Sequence, residues 1–432
     1  MKPSNIINKF KKNSDVLSAV KNSLWLVSDK FVRLVIGLLV GAWVARYLGP
    51  AEYGILAYVL AMLSFFQVLA LLGMDGIIVR NIASNQGTAS SILGTSYRLR
   101  LVSGITCYLI AAISIGTIYG FESKYFSVFL LAGGILVFQS ADTVDLWFQS
   151  QSQSKRTIAA KLTAYIIAAA IKVLCIKSNA DIKTFAFIVS LESFLSAVGL
   201  YISYKKFPTG KNWFFSMSVA KDIISESWPF ILSSISILIY MRIDQLMIKS
   251  ILGDEKLGVF AAVIPLATLW TVIPMVLSTS IAPMIARAKS ENESKYMEIL
   301  RNVFTLYSLI GWVVSVTIFM FSEQIIQLLF GSAYIDGAKV LSISVFSNVF
   351  INLGVAQSLW ILNERKPILS LYKTFVGAIV CIVANLFLIP KFGIIGAAYS
   401  SILSQAISAV LLNLILDRRI FNLQIKSLFL IR

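Results

Sequence analysis

Long runs of apolar residues, separated by short polar segments, recur from one end of the chain to the other. About 20 consecutive apolar residues cross the hydrocarbon core of a bilayer as an α-helix. Twelve runs reach this length, and the polar segments between them are too short to form a domain outside the membrane. The pattern predicts an all-α integral membrane protein with twelve transmembrane helices at 24–47, 55–74, 99–119, 125–147, 158–176, 184–204, 229–251, 258–283, 300–321, 334–360, 367–389 and 394–416.

The longest connection lies between the sixth and seventh predicted helices, and we interpret it as a hinge between two lobes. Residues 1–208 are assigned to an N-terminal lobe and residues 209–432 to a C-terminal lobe. The N-terminal segment is not expected to be a cleaved signal peptide, because its apolar run begins only at Leu24 and soon acquires charged residues.

Composition supports a membrane protein and narrows the chemistry. Charged residues make up 14% of the chain, against about 25% in soluble domains. The sequence has no histidine, which removes imidazole metal sites and Ser-His or Cys-His nucleophile pairs. Cys107, Cys175 and Cys381 lie singly in apolar runs, so neither a disulfide nor a metal site is expected. No cofactor and no catalytic residue are predicted.

The net charge of +17 is explained by membrane topology. Of the 38 Lys and Arg residues, 26 lie in the two tails and in or within two helical turns of the even-numbered connections, eight in or near the odd-numbered connections, and four deeper inside predicted helices. Basic residues concentrate in cytoplasmic loops, so both termini are expected in the cytoplasm. Anionic membrane lipid is the expected partner of these loops, and no nucleic acid is expected.

Two short motifs indicate an internal repeat. LGPAEYG at Leu48–Gly54 follows the first helix, and LGDEKLG at Leu252–Gly258 follows the seventh, 204 residues later. Each half also contains a Leu-Trp pair and a basic pair near the end of its fourth helix, at 146–156 and at 359–366. A repeated six-helix unit keeps its orientation in the membrane, which predicts two parallel-repeat lobes around a central cavity.

Four segments carry a resemblance to a known family: Arg46–Gly54, Gly73–Ala83, Met241–Val263 and Lys391–Gln405. They resemble Wzx-type flippases of O-antigen units, polysaccharide exporters of the multidrug/oligosaccharidyl-lipid/polysaccharide exporter superfamily. The resemblance covers essentially the whole chain. It implies a transporter of the bacterial inner (cytoplasmic) membrane that moves an undecaprenyl-pyrophosphate-linked oligosaccharide from the cytoplasmic to the periplasmic leaflet.

Charged residues inside the first predicted helix are candidate substrate ligands, because charge at bilayer depth needs a partner or a purpose. Asp29 and Arg33 share one side of the helix at a spacing of four, and Lys30 lies three residues before Arg33. One acid satisfies one base, which leaves a cation unpaired. We predict that Lys30 and Arg33 line a cationic cavity and bind a pyrophosphate. The alternative is a structural ion pair, with Lys30 reaching toward the cytoplasm.

The seventh helix, the repeat partner of the first, carries Arg242 and Asp244. A spacing of two places them on nearly opposite sides of a helix, so they are not expected to pair. Arg242 is a second candidate for pyrophosphate binding. Asp244 is interpreted either as a residue that braces the lobes or as an ion site.

Glu192 lies near the middle of the sixth helix. An isolated carboxylate at this depth is a candidate carrier of a proton or a sodium ion. The alternative is neutralisation of Lys172 on the fifth helix. Asp142 and Asp145 are interpreted as a hydrated surface beside Lys155, Arg156 and Arg98 rather than as a catalytic pair.

Prolines in the eighth helix, Pro265 and Pro274 with Pro283 after them, suggest a bend or hinge. Proline is also common in membrane helices without such a role. The later helices contain several amide side chains, which we expect to form hydrogen bonds between helices rather than to bind sugars: Asn348, Asn352, Gln357, Asn385, Gln405 and Asn413.

The leading functional hypothesis is therefore a flippase that works by alternating access, and not an enzyme. Its partners would be the lipid-linked oligosaccharide and the polymerase and chain-length proteins of a polysaccharide pathway. A multidrug or organic-cation antiporter of the same superfamily is the alternative, because acids and bases inside the helices are nearly balanced. A membrane polymerase or ligase is disfavoured, since the external loops are short and hold no acidic cluster.

Overall fold

The computed structural model describes residues 3–209 and 212–430, with the side chains of Asp29 and of residues from Phe31 onward. Regular structure in these residues is helical. The helices are α1 Pro3–Leu71, α2 Asp75–Ser84, α3 Ala89–Tyr119, α4 Lys124–Ala132, α5 Ile135–Phe138, α6 Thr143–Ser150, α7 Lys155–Lys177, α8 Ile182–Lys206 and α9 Met217–Leu252. They continue as α10 Asp254–Thr268, α11 Val272–Glu291, α12 Glu293–Leu329, α13 Asp336–Ser344, α14 Ser347–Asn363, α15 Pro367–Phe392, α16 Ile394–Ala406, α17 Asn413–Leu416 and α18 Arg418–Leu428.

Eleven helical segments of the described chain are long and apolar enough to cross a membrane. The first, Phe31–Ser84, has 54 residues and contains two of the predicted spans. Gly49 interrupts α1 with φ 74° and ψ 168°, a conformation that ends one span and begins the next. With this break, the structure contains the twelve predicted helices. Large apolar side chains such as Leu328, Phe387 and Ile415 are exposed on the helix surfaces, as lipid contact requires.

The chain forms two compact units. One contains the residues up to Val40 together with Met62–Ile235, and the other contains Gly41–Ala61 with the residues from Ser236 onward. This division differs from the predicted boundary at residue 208, because the long helices α1 and α9 each contribute to both units. The first unit will be called unit 1 and the second unit 2.

The conformations of two glycines reveal the internal repeat. Gly49 and Gly253, which are 204 residues apart, have φ values of 74° and 88° with extended ψ. Both conformations lie in the region that favours glycine over residues with a Cβ. The same turn therefore follows the first and the seventh spans. A second correspondence lies after α6 and α14, where Ser152 and Arg365 have φ values of 56° and 54°.

The two repeated turns pack against each other within unit 2. A Cβ added to Gly54 would lie 1.9 Å from the carbonyl oxygen of Asp254, and one added to Gly258 would lie 1.8 Å from that of Pro50. Since Pro50 and Asp254 are themselves 204 residues apart, the contact is reciprocal. The last glycine of each LGxxxxG motif thus permits backbone-to-backbone packing of the two repeats.

The segment predicted as a hinge is anchored to unit 1 over residues 212–216. The Trp213 ring lies 5.0 Å from that of Tyr204, and the backbone N–H of Ser216 donates to Thr95 Oγ1 at 3.0 Å. Gly94 meets the backbone of Phe214, where a Cβ would clash. This part of the connection is therefore held against α3 and α8.

Candidate functional site

Unit 1 contains a cavity of about 180 Å³ among membrane-spanning helices. α1, α7 and α8 and the 3₁₀ turn that precedes α6 contribute to its lining. Its polar residues are Arg33, Gln67, Gln139, Asp142, Lys161, Glu192, Ser193 and Ser196. A polar interior at this depth is expensive unless it is used, so the cavity is the candidate site for a polar ligand.

Arg33 is held in place on two sides of its guanidinium. Its Nε donates to Asp29 Oδ1 at 2.8 Å, and its Cζ lies 5.1 Å from the centre of the Tyr165 ring. The Tyr165 hydroxyl donates to the backbone carbonyl of Arg33 at 3.0 Å, which fixes the aromatic ring. Nη2 of Arg33 is buried and has no hydrogen-bond partner in the described structure. The ion pair thus leaves one donor of the guanidinium unsatisfied.

Lys161 is a cavity residue that the sequence analysis missed. Its Nζ lies 2.7 Å from Asp142 Oδ1 and 2.9 Å from Asp145 Oδ2, so one ammonium bridges two carboxylates. The ion-pair partner that the structure shows for both acids is Lys161, which the sequence analysis did not name beside them. Lys161 was counted with the cytoplasmic connection because it lies in the second turn of α7.

Glu192 and Lys172 form a further ion pair of this region, with 3.5 Å between Nζ and Oε2. This geometry matches the charge-pairing alternative for Glu192. Glu192 also lines the cavity, so its carboxylate is within reach of a ligand.

The cavity lining is balanced in charge, with Arg33 and Lys161 against Asp142 and Glu192. The sequence predicts a cationic cavity, and the lining departs from this because Lys161 is accompanied by acids. The side chain of Lys30 lies outside the described residues. Among the described residues that line the cavity, the group best placed to donate to an anion is therefore Nη2 of Arg33.

Arg242 belongs to unit 2 and is exposed. Its Nη1 donates weakly to Gln245 Oε1 at 3.4 Å, and among the described residues no carboxylate lies within 4 Å of its guanidinium. Asp244, two residues later, has other partners. Arg242 is thus a cation that no neighbouring acid neutralises in the part of the chain that the structure describes.

Asp244 is buried, with 8% of its surface exposed, and it accepts hydrogen bonds from three neutral groups. Asn385 Nδ2 lies 2.5 Å and Cys381 Sγ 3.1 Å from Oδ1, and Ser401 Oγ lies 3.1 Å from Oδ2. These contacts join α9 to α15 and α16 within unit 2. Asn385 Oδ1 is buried without a partner in the described structure. The cluster offers carboxylate, amide and hydroxyl oxygens, the ligand types that hard cations prefer.

Lys373 is a second buried charge in unit 2, although the count of basic residues in the sequence places it with the connection before α15. Its Nζ donates to Gln357 Oε1, to the carbonyl of Ala409 at 3.2 Å and, weakly, to Asn413 Oδ1 at 3.5 Å. The carbonyl of Ala409 lies in a π-helical turn, Ile407–Leu411, and also accepts from Asn413 and Gln424. The surrounding groups are thus neutral amides and a carbonyl.

The predicted bend in the eighth span lies between its first two prolines. A 3₁₀ turn at Leu269–Thr271 separates α10 from α11, after Pro265 and before Pro274. Pro265 lies four residues before this turn and Pro274 three residues after it, and neither proline nitrogen can donate a backbone hydrogen bond. Their role as a moving hinge stays a prediction.

Comparison with solved structures defines the fold. An inward closed structure of the lipid II flippase MurJ superposes with a TM-score of 0.76 at 13% identity, covering 94% of this chain and 91% of that one. An inward-facing multidrug resistance MATE family transporter of the MOP superfamily gives a TM-score of 0.69 at 17% identity, covering 94% and 96%. The chain has the fold of MOP superfamily transporters.

Sequence comparison defines the family. The family model described as "Polysaccharide biosynthesis protein" matches residues 19–289, and the MatE model matches residues 229–387. The chain belongs to the polysaccharide biosynthesis protein family, as its motifs predict. It is 23% identical to the probable low-salt glycan biosynthesis flippase Agl15 of Haloferax volcanii, covering 85% of this chain and 77% of that protein. It is also 23% identical to the capsular polysaccharide biosynthesis protein CapF of Staphylococcus aureus, over 44% of this chain and 48% of CapF.

Proposed function

We propose that the protein is a flippase that moves a polyprenyl-pyrophosphate-linked oligosaccharide, such as an undecaprenyl-linked O-antigen unit, from the cytoplasmic to the periplasmic leaflet. The observation that carries the proposal is the polar cavity of unit 1, in which Arg33 keeps one buried donor free. The family, and the flippase name given to the relative in Haloferax volcanii, support it.

The proposed chemistry divides the lining between the two polar parts of the substrate. A pyrophosphate that crosses bare hydrocarbon pays a very large desolvation cost, which fixed guanidinium groups reduce. Arg33 and Arg242 would donate to the phosphate oxygens. The other polar residues of the lining suit a sugar, because Asp142 and Glu192 accept from hydroxyl groups and the amide of Gln139 donates to them. The polyprenyl chain stays in lipid while the lobes alternate in access.

The cluster at Asp244 is the proposed coupling site, and it would bind a proton or a sodium ion. Its carboxylate has no basic partner within 4 Å in the described chain, and Asn385 Oδ1 beside it lacks a donor. A cation would satisfy both oxygens. Glu192 with Lys172, and Asp29 with Arg33, are the corresponding candidates in unit 1, where a base already occupies the place of the cation.

The proposed setting is the inner membrane of a bacterium with both termini in the cytoplasm. The polymerase and chain-length proteins of the same polysaccharide pathway are the expected partners, since a flipped repeat unit is the substrate of polymerisation.

An organic-cation antiporter is the second candidate, and the acidic residues of the cavity favour it. Asp142 and Glu192 would neutralise a bound cation. Transport of a fluorescent organic cation by vesicles that contain the protein, abolished by Glu192→Gln and insensitive to Arg33→Gln, would support this candidate over the flippase.

A flipping experiment tests the proposal. The full-length protein is reconstituted in vesicles, and a polyprenyl-pyrophosphate oligosaccharide is placed in one leaflet. Arrival of the oligosaccharide in the opposite leaflet is measured with a sugar-binding probe that does not cross the membrane. Arg33→Gln and Arg242→Gln are each expected to reduce the rate at least tenfold. Arg80→Gln, which removes an exposed guanidinium paired with Glu226, is the matched control and should leave the rate unchanged. Normal rates in both test variants, with normal elution of the purified proteins, would overturn the assignment.

A further inference from the structure

A groove of about 420 Å³ lies in unit 2 between the last turns of α11 and the first turns of α12, apart from the sites described above. Pro283 and Met284 on α11 and Ile299 on α12 give it an apolar part. Ionic side chains one helical turn away give it a charged part, and they are Arg287, Glu291 and Lys295.

On both helices, the apolar residues of the groove lie farther from the α11–α12 connection than the charged residues do. On α11 the order is Met284, Arg287 and Glu291, spaced three and four residues apart, so the three side chains share one side of the helix. On α12, Ile299 lies one turn beyond Lys295. The charged ends meet at the connection between the two spans, around Asn292, where the chain leaves the membrane.

Arg287 is the free cation of the groove. Glu291 lies 3.2 Å from Lys295, so these two charges neutralise each other. Among the described residues no carboxylate lies within 4 Å of the Arg287 guanidinium. By contrast, Lys289 on the same helix contacts both Glu293 and Glu364. A guanidinium without a partner presents paired N–H donors that match the oxygens of a phosphate.

We propose that this groove binds an anionic phospholipid, with Arg287 on its phosphate and its acyl chain along Pro283, Met284 and Ile299. Such a lipid has the same order of chemistry as the groove, a negative headgroup joined to an alkyl chain at the membrane boundary. The proposal depends on the membrane location of these helices and not on the identity of the transported substrate.

The test uses the purified full-length protein in a neutral detergent, titrated with short-chain phosphatidylglycerol and, separately, with short-chain phosphatidylcholine. Binding is followed by native mass spectrometry. Phosphatidylglycerol is expected to bind at least fivefold more tightly than phosphatidylcholine. Arg287→Gln should weaken binding of phosphatidylglycerol about tenfold, and Arg287→Lys should restore part of it. Arg301→Gln removes an exposed charge of α12 that does not line the groove, and it should change nothing.

Equal affinity for the two lipids, or unchanged phosphatidylglycerol binding by Arg287→Gln, would overturn the proposal. Two competitors check the occupant. Farnesyl pyrophosphate that displaces phosphatidylglycerol at a hundredth of its concentration in an Arg287-dependent manner would assign the groove to a polyprenyl carrier instead. Inorganic phosphate that competes as well as the lipid does would show that the ion alone is recognised, which also contradicts the proposal.

Discussion

The interiors of the two units solve the problem of buried charge in different ways, although the two halves of the chain are repeats. Unit 1 brings acids and bases together, as at Arg33 with Asp29 and at Lys161 with Asp142. In unit 2, Asp244 and Lys373 are each surrounded by neutral hydrogen-bonding groups. The ion pairs that the structure describes in unit 2 involve residues near helix ends, such as Lys289 with Glu364.

The kind of ligand that each interior can bind follows from these different partners. Ion pairs beside a cavity present a balanced polar surface on which a large ligand with several polar groups can exchange partners. A single buried carboxylate with neutral partners is a place for one small cation, because nothing else supplies its charge. The two interiors therefore support the proposals that the cavity of unit 1 binds the bulky substrate and that the Asp244 cluster of unit 2 binds the coupling ion.

Removing Lys161 should have the largest effect on stability. Lys161→Met leaves Asp142 and Asp145 facing each other without their common ammonium, which costs about 3 kcal/mol once the partial exposure of the site is considered. Thermal unfolding of the purified variant should show a clear drop in its midpoint. Lys161→Arg should retain most of the stability, and adding Asp142→Asn to Lys161→Met should recover part of the loss. A midpoint equal to wild type would show that these pairs do not hold unit 1 together.

Asp244 is expected to separate stability from coupling. Asp244→Ala leaves the Asn385 and Ser401 donors without an acceptor in the interior and should cost about 2 kcal/mol. Asp244→Asn keeps an acceptor and supplies a donor for Asn385 Oδ1, so it should unfold near the wild-type temperature. If the cluster binds the coupling ion, the Asn variant should flip substrate without responding to a proton or sodium gradient. If the Asp244→Asn variant responds to the gradient as wild type does, the Asp244 cluster is not the coupling site.

Lys373→Met should cost less than 1 kcal/mol, in contrast to Lys161→Met. Gln357 and Asn413 donate to each other at 2.8 and 3.1 Å, so their oxygens keep partners when the ammonium is removed. The variant replaces a buried charge with a side chain of similar length, a change that is often neutral. The two lysine variants measured together by thermal unfolding form the direct comparison between the units. A larger loss for Lys373→Met would reverse it.

The smallest effect concerns pH. Burial alone would raise the pKa of the Glu364 carboxyl. The ammonium of Lys289 and the hydroxyl of Tyr296 outweigh burial and hold this pKa below its ordinary value of 4.5. A lowered folded-state pKa means that the carboxylate stabilises the fold above pH 4.5 and that this contribution is lost as the pH falls further. Glu364→Gln should lower stability by about 0.5–1 kcal/mol at pH 6.5 and progressively less toward pH 4. Unfolding curves at both pH values check this, and a constant difference would contradict it.

The sequence predicts the fold well for two reasons. The apolar runs are long enough to identify each membrane span, and the glycines of the repeat motifs are required by the backbone geometry. The glycines at 49, 54, 253 and 258 are visible in the sequence, and the structure explains them by turn geometry and close packing. Arg33 can also be recognised from the sequence, because it is a charged residue that interrupts a long apolar run.

Part of the site was hidden because its charges lie near span ends. Lys161 and Lys373 occupy the second turns of their helices, where a basic residue usually reaches the membrane surface. Only packing from other helices shows that Lys373 is buried and that Lys161 is half-buried beside two carboxylates. The neutral partners of Asp244 come from spans more than a hundred residues away, and Asn, Ser and Cys in an apolar run have no distinctive pattern. These partners could have been predicted only from the knowledge that α9 packs against α15 and α16.

The most direct test of the account is whether Arg33 and Arg242 recognise pyrophosphate. Affinities of the purified protein for a short-chain polyprenyl-pyrophosphate disaccharide and for the same disaccharide on an uncharged alkyl chain can be measured by titration calorimetry. We expect at least tenfold tighter binding of the pyrophosphate compound. We also expect this preference to disappear in the double variant Arg33→Gln/Arg242→Gln and to persist in Arg80→Gln. A preference that survives the double variant, or that wild type never shows, would contradict pyrophosphate recognition by Arg33 and Arg242.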